Sequence, residues 1–411
     1  MIFKMSVNTL TFEQCSTILS SIVKQATGQA NLTATSTGEF VSLGTVALSA
    51  GNDAVMNAIG NVLARTIFSI RPYSAKFTGL EKSLPRWGAY MRKLSIANTD
   101  WADDPAYDYP VTYDATESDP YGTGLSVDQW KIKKPDILQT YFTGQSVYAD
   151  SLTITEDQLM TAFQSPDEFG SFMSMLMTNL SNRLEMSKDG IARGLIANMI
   201  GSLVSENDGN RVVHLLTEYN TLCGLTGGNA LTANTVYQPD NFGPFMKWVY
   251  SRIAQISDMM TENTLLFQTV ISSKPILRHT EPQKQQIYLY SPARHQIDAR
   301  VLADTFHDSY IRYADVETVN FWQSSKTPDT ITVTPSYTHT DGTVKTPGSA
   351  VTQAKIFGLM FDEDAMGYAY LDRRIVPTPL NASGLYRNLW VHAKERVFMD
   401  NTEKAVVLLL D

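Results

Sequence analysis

Residues 357–411 read FGLMFDEDAMGYAYLDRRIVPTPLNASGLYRNLWVHAKERVFMDNTEKAVVLLLD, and two strand-like runs close that stretch. The first is Tyr386–Met399. The second, Lys404–Leu410, ends in the unbroken apolar run Val406, Val407, Leu408, Leu409, Leu410. A continuous run of that kind fits a strand covered on both faces. The polar triplet Asp400-Asn401-Thr402 between the two runs reads as a short turn. Chain ends are ordinarily frayed and polar. An apolar strand running up to Asp411 is therefore the expected mark of a closed structural core without a solvated tail.

Upstream lies the strongest single element. Ser165-Pro166-Asp167-Glu168 is a nearly complete helix start. Ser can cap, Pro fits the first helical position, and Glu three residues after Ser completes a capping box. Phe169, Phe172, Met173, Leu176, Leu180 and Leu184 follow at spacings of three and four, and Ala192, Leu195, Ile196, Met199, Ile200 and Leu203 continue the stripe. Unbroken to about Val204, such a helix would be ~58 Å long, a strut rather than an ordinary globular helix. Gly170, Gly190, Gly194 and Gly201 weaken it, and a kink is expected near Gly190. Met173, Met175, Met177, Met186 and Met199 crowd this helix. Plain core packing explains them, and adaptability to several packing environments is the sharper reading.

Between the helix and the C-terminal strands the pattern alternates. A loop over Gly224–Asn241 leads to a helix at Phe242–Met260, strands at Leu265–Ile271 and Ile287–Tyr290, a helix at Ala293–Phe306 and a strand at Tyr310–Phe321. That order makes a compact α/β domain. Ser324–Thr352, rich in Ser, Thr and Pro, reads as a surface insertion with a hairpin turn at Asp341-Gly342.

On the N-terminal side, Thr11 with Gln14 has capping-box spacing, and Phe12, Cys15, Ile18, Leu19, Ile22, Val23 and Ala26 keep a helical stripe that Gly28 ends. Residues 29–50, small and polar, read as an extended arm or linker. Asn52 can cap a second helix. Residues 70–155 are rich in Pro, Tyr and Trp, with short alternating segments at Lys131–Lys133 and Tyr141–Tyr148. From Leu94 to Trp130 no Lys or Arg occurs. That window carries Asp100, Asp103, Asp104, Asp108, Asp114, Glu117, Asp119 and Asp128, while Lys82, Arg86, Arg92, Lys93, Lys131, Lys133 and Lys134 crowd its flanks. The natural picture is a long excursion with an acidic tip and basic roots.

Composition bounds the function. The chain has 411 residues, 43% of them hydrophobic, which easily supplies a core. Charged residues are 18%, and with 19 Tyr and 17 Phe this suggests surface buried against partners. A net charge of -9 argues against gripping nucleic acid through its phosphates. Such a chain can still enclose nucleic acid. Cys15 and Cys223 make no disulfide framework and read as reduced thiols. Met1–Leu10 lacks a signal-peptide apolar region, and no apolar stretch approaches the ~18 residues that span a bilayer. The expectation is a cytoplasmic protein with no membrane partner.

Motifs for catalysis are missing. The histidines at 214, 279, 295, 307, 339 and 392 stand in no metal-ligand spacing. There is no G-x-S-x-G, and Gly224-Leu-Thr-Gly-Gly228 lacks the ending of a phosphate loop. Acids beside Trp101, Tyr107, Tyr109, Tyr113 and Tyr121 would also suit a sugar or Ca²⁺, but the calcium-hand pattern is absent. No catalytic, cofactor or metal residue is assigned.

The order of elements, and above all the text LNASGLYRNLWVHAKERVFMDN with the final apolar strand, resembles the major capsid protein of tailed bacteriophages, the HK97 fold, in its smaller podovirus-type members. The resemblance implies an α+β fold. Its parts would be an N-terminal arm (1–50), the start of a peripheral domain (51–69), an extended β-hairpin loop (70–155), the peripheral domain with its spine helix (156–216), an axial domain (217–354) and peripheral C-terminal strands (355–411). It implies self-assembly as pentamers and hexamers into an icosahedral head around double-stranded DNA, with a scaffolding protein and a portal as partners, in the bacterial host cytoplasm. Asp100, Asp103, Asp104 and Asp108 at the loop tip would meet Arg373, Arg374, Arg387, Lys394 and Arg396 of a neighbouring subunit. A solvated acidic loop is the plainer alternative. The Lys–Asn crosslink of some members has no matched residues here. An encapsulin-type nanocompartment shares the fold, and a soluble carbohydrate-active enzyme is the reading from another class.

Overall fold

A computed structural model of the chain describes residues 10–28, 32–65, 75–82, 91–96, 130, 137–143, 145–206, 209–273, 275–292 and 315–411. Two compact units divide it: residues 1–91, 142–197 and 366–399 form the first, and 92–141, 198–365 and 400–411 the second.

The first unit begins with α1 (Phe12–Thr27). Its capping box forms as the sequence predicts, with Gln14 N donating to Thr11 Oγ1 and Thr11 N to Gln14 Oε1. Gly28, at φ 73°, closes it. Residues 29–50 depart from the expected extended arm, because Thr37–Ser49 is a helix, α2, capped by Ser36. Phe40, Leu43 and Ala47 share one face and are buried. Their burial decides the conformation of an otherwise small and polar stretch, since tertiary packing overrides weak propensity. α3 (Asn52–Arg65) follows. Two strands come next, β1 (Met91–Ile96) and β2 (Ile137–Phe142), paired as a ribbon that the second unit holds except for Met91 and Phe142. The segment expected at Tyr141–Tyr148 is two strands: Phe142 ends the ribbon and β3 (Gln145–Thr155) starts another sheet.

α4 (Glu156–Ala162) leads to α5 (Pro166–Glu206), 41 residues and ~61 Å long. Ser165 Oγ accepts from Glu168 N at 3.2 Å, the expected cap. α5 runs through Gly190 and Gly194 without a break, and a Cβ there would meet nothing. Each glycine costs only ~1 kcal/mol against many good helix formers. Phe169, Phe172, Met173 and Leu176 complete a core with Ile18, Leu19, Ile22, Phe40, Val55 and Ile59.

In the second unit β4 (Val212–His214), α6 (Leu215–Cys223), α7 (Pro239–Thr261), β5 (Gln285–Tyr290) and β6 (Asp315–Val319) follow in order. The strand expected at Leu265–Ile271 is absent. Phe267 adopts φ 65°, which no strand accommodates, and only Thr264 bridges to Arg278. Phe267 and Ile271 are buried, and the backbone bonds irregularly to the segment before β14, with Thr269 N donating to Asn401 O and Ala405 N to Phe267 O. The expected helix over Ala293–Phe306 and residues 310–314 of the expected strand lie outside the described residues, as do Lys131–Lys133. The insertion carries β7 (Ile331–Val333), β8 (Tyr337–Thr338), β9 (Val344–Lys345) and β10 (Val351–Gln353). β8 and β9 form the hairpin expected around Asp341-Gly342, with Gly342 at φ 79°.

The last strands are β11 (Ile356–Asp362), β12 (Met366–Pro377), β13 (Tyr386–Met399) and β14 (Ala405–Leu409). β13 is the middle of the antiparallel sheet β12–β13–β3 in the first unit. β14 lies in the mixed sheet β4–β14–β11–β5–β6 of the second, parallel to β4 and antiparallel to β11. The two runs that close the sequence are thus not a hairpin. The doubly covered strand is as expected, with every residue of β14 buried. Among the described residues no helix is long and apolar enough to cross a membrane.

Candidate assembly site

The ribbon β1–β2 alternates in exposure along both strands. Its exposed set includes Leu94, Ile96, Ile137 and Tyr141, each between 46% and 61% exposed. A protein seldom leaves so many large apolar side chains together in water, since covering each is worth on the order of 1 kcal/mol. Lys93 and Ser95 take the alternate positions of β1, half-buried.

Those two side chains reach the connector between β13 and β14. Asp400, Asn401, Thr402, Glu403 and Lys404 are all buried, although the sequence reads as an exposed polar turn. Lys93 Nζ lies 2.9 Å from Asp400 Oδ2 and also contacts Glu403 Oε1. Arg278 pairs with the same Glu403 oxygen, and its Nη2 donates to Ser95 Oγ at 3.3 Å and Thr402 Oγ1 at 3.1 Å. Burial alone would lower the Lys93 ammonium, but Asp400 and Glu403 beside it hold it above its ordinary value. Burial would raise Asp400, yet Lys93 and the Thr402 hydroxyl hold it low. Glu403 is lifted by burial in spite of Lys93 and Arg278.

The rest of the connector is equally committed. Asn401 Nδ2 donates to Glu206, to Thr269 Oγ1 at 2.7 Å and to Thr338 O at 2.7 Å. Arg211, fully buried, donates to Glu206 Oε2 at 2.6 Å and to Asn401 O at 3.0 Å. Lys404 Nζ donates to Glu262 O and Thr264 Oγ1, both at 3.0 Å, and so meets the carbonyl end of α7, where a cation is favoured. Burial still pushes its ammonium down to about 8.

The basic residues singled out in the sequence fall on β12 and β13. Arg374 is exposed and pairs with Asp372 at 2.8 Å. Arg373 is half-buried, and burial lowers its guanidinium. It lines a cavity of about 260 Å³ with Tyr148, Leu180, Arg183, Leu184 and Val391. Lys394 is half-buried opposite Asp372. Arg387 and Arg396 depart from the expected outward basic surface, because both are buried. Arg387 already pairs with Asp53, and it lies 3.7 Å from Glu156. Asp100, Asp103, Asp104 and Asp108 lie outside the described residues.

Sequence reasoning missed Glu395. The carboxyl of this buried residue of β13 lies near Tyr148 of β3 and Tyr370 of β12, its Oε2 has no hydrogen-bond partner among the described residues, and burial lifts it to about 7. It also missed the role of Lys93, Arg278 and the connector. The one available signal was five successive polar residues, Asp400–Lys404, between strands of different pattern. Among the described residues no group of acids, histidines and cysteines is placed to hold a metal ion.

The model of the Phi29-like phage major capsid protein family matches residues 19–409. The chain belongs to that family. It is a head shell protein, and its mixed helix–sheet architecture is the HK97-like fold of phage capsids. A chain of the capsid structure of Staphylococcus phage Andhra aligns with TM-score 0.52 at 12% identity, over 84% of this chain and 87% of that one. A chain in the structure of the head fiber and inner core protein gp22 of native bacteriophage P68 gives 0.51 at 11% identity, with the same coverage. At such identities these likenesses concern the fold alone. No curated protein matches this capsid protein. The nanocompartment and carbohydrate-enzyme alternatives find no support in these likenesses.

Proposed function

We propose that this capsid protein closes its shell by laying the loop of residues 70–155 over a neighbouring copy, in pentamers and hexamers. The single observation that carries the reading is the exposed apolar set Leu94, Ile96, Ile137 and Tyr141 on the loop's described root. A neighbour that covers it supplies the burial the isolated chain lacks. The unit holding α5 up to Ala197 and the sheet β12–β13–β3 corresponds to the peripheral domain, and the unit holding the five-stranded sheet to the axial one, so that β11 and β14 of the stretch 355–411, expected in the peripheral domain, are assigned to the axial one. Residues 1–50 form the N-terminal arm, of which Phe12–Thr27 and Thr37–Ser49 are helices.

The shell encloses double-stranded DNA without sequence-specific grip, consistent with a net charge of -9. Assembly takes place in the bacterial host with a scaffolding protein and a portal. Its work is mechanical rather than enzymatic. Asp100, Asp103, Asp104 and Asp108 of one copy face Arg373, Arg374 and Lys394 of the next. Arg387 and Arg396, buried in their own chain, contribute to their own fold instead. Exposed pairs of this kind add only ~0.2–1 kcal/mol each and act on register more than on affinity.

The test is Leu94→Asp/Ile96→Asp, followed by sizing and electron microscopy of the purified protein. The expected product is a folded subunit that forms no shells or rings. Normal shells from this variant would sink the reading. For the charge contacts, Arg373→Glu/Arg374→Glu should misassemble at low salt. Unchanged assembly at low and high salt alike would remove them.

A further inference from the structure

We propose that Lys93, Arg278, Asp400 and Glu403 form a positioning site that fixes which face of the ribbon β1–β2 is turned outward, and with it the angle at which copies meet. The proposal rests on the assembly reading above and assigns these residues to it.

Two cations and two carboxylates balance one another in a largely buried pocket. Replacing buried ion clusters by apolar side chains is often neutral for stability, so their retained value is directional. Here the direction is plain. Lys93 and Ser95, two apart on one strand, point to the same side, and each has a partner in the cluster: Asp400 and Glu403 for Lys93, and Arg278 for Ser95. A slip of one residue would put Leu94 against the carboxylates and turn Lys93 into water. The polar cluster and the exposed Leu94 and Ile96 are therefore alternate sides of the same register. The acceptors sit on a rigid base. Thr402 N and Oγ1 both donate to Asp400 Oδ1, at 3.0 and 2.6 Å. Asn401 is held by Glu206, Thr269 and Thr338. Lys404, next along, faces Glu262 and Thr264 rather than the cluster.

The experiment compares the wild type with Lys93→Met, Lys93→Arg and Lys93→Met/Glu403→Gln. The double variant loses the latch but keeps the cluster neutral, so it remains folded should Lys93→Met alone not. Hydrogen exchange is read on dispersed subunits, and shell diameter on particles from infected cells. Without the latch, exchange in 91–96 and 137–142 should rise at least about tenfold while 405–409 stay protected. The spread of shell diameters should roughly double as contacts lose a fixed angle. Lys93→Arg should restore both. Unchanged ribbon exchange in the double variant overturns the proposal, as do faster exchange and wild-type shells together. A wild-type chain that forms no shells in those cells would instead refute the assembly reading, with the exchange data still deciding the latch.

Discussion

β13 and β14 are consecutive strands of one chain, separated only by Asp400–Lys404, yet their chemistry is opposite. β14 is buried at every residue and entirely apolar. β13 carries Arg387, His392, Lys394, Glu395 and Arg396 and mixes buried, half-buried and exposed positions. β14 is an inner strand of the five-stranded sheet and is buried on both faces, Val406 and Leu408 in one core with residues of α6 and α7, so no polar side chain there can find water or a partner. The three-stranded sheet leaves part of β13 accessible, and charged side chains can stand on it: Arg387 pairs with Asp53, and Lys394 stays half-buried. What differs is coverage, and composition follows from it.

The sharpest way to break the contrast is a carboxylate in each strand. Val407→Asp should cost more than ~4 kcal/mol and leave no folded subunit, because a buried unpaired charge has no compensation. Trp390→Asp, at a position 38% exposed, should cost less, ~1–3 kcal/mol, because the carboxylate can reach water and only part of the ring area is lost. Urea unfolding followed by circular dichroism reads both.

Glu395 sharpens it through pH. Its folded carboxyl is raised to about 7 from an ordinary 4.5, so ionisation opposes folding. The contribution is intact below pH 4.5 and is lost as pH rises through about 7. Glu395→Gln should therefore stabilise the protein by ~3 kcal/mol at pH 8 and by little at pH 4. An equal effect at both pH values in denaturant titrations would show that packing, not charge, is at stake.

The smallest effects separate two glycines of α5. A Cβ at Gly201 would lie 2.6 Å from Val333 Cγ1, so Gly201→Ala should cost ~1–3 kcal/mol. A Cβ at Gly190 meets nothing, so Gly190→Ala should gain ~0.5–1 kcal/mol. Thermal melting of the two variants should move in opposite directions.

Much was legible in the sequence because its cause is local. The Ser165-Pro166 start and the apolar stripe specify α5. Thr11 and Gln14 specify the start of α1. Val406–Leu410 specify a strand that must be covered. Each signal lies within a few residues and needs no knowledge of what packs nearby. Other features exist only through distant partners. Thr37–Ser49 is helical because Phe40 finds a core, and Leu265–Ile271 is not a strand because Phe267 turns into a left-handed conformation. The polar run Asp400–Lys404 is buried because Lys93, Arg278, Arg211 and the end of α7 converge on it from positions more than a hundred residues away. A charge is compatible with water or with a partner, and the sequence fits both. Only the tertiary structure supplies the partner, and so decides which surfaces of this capsid protein are left to meet another copy.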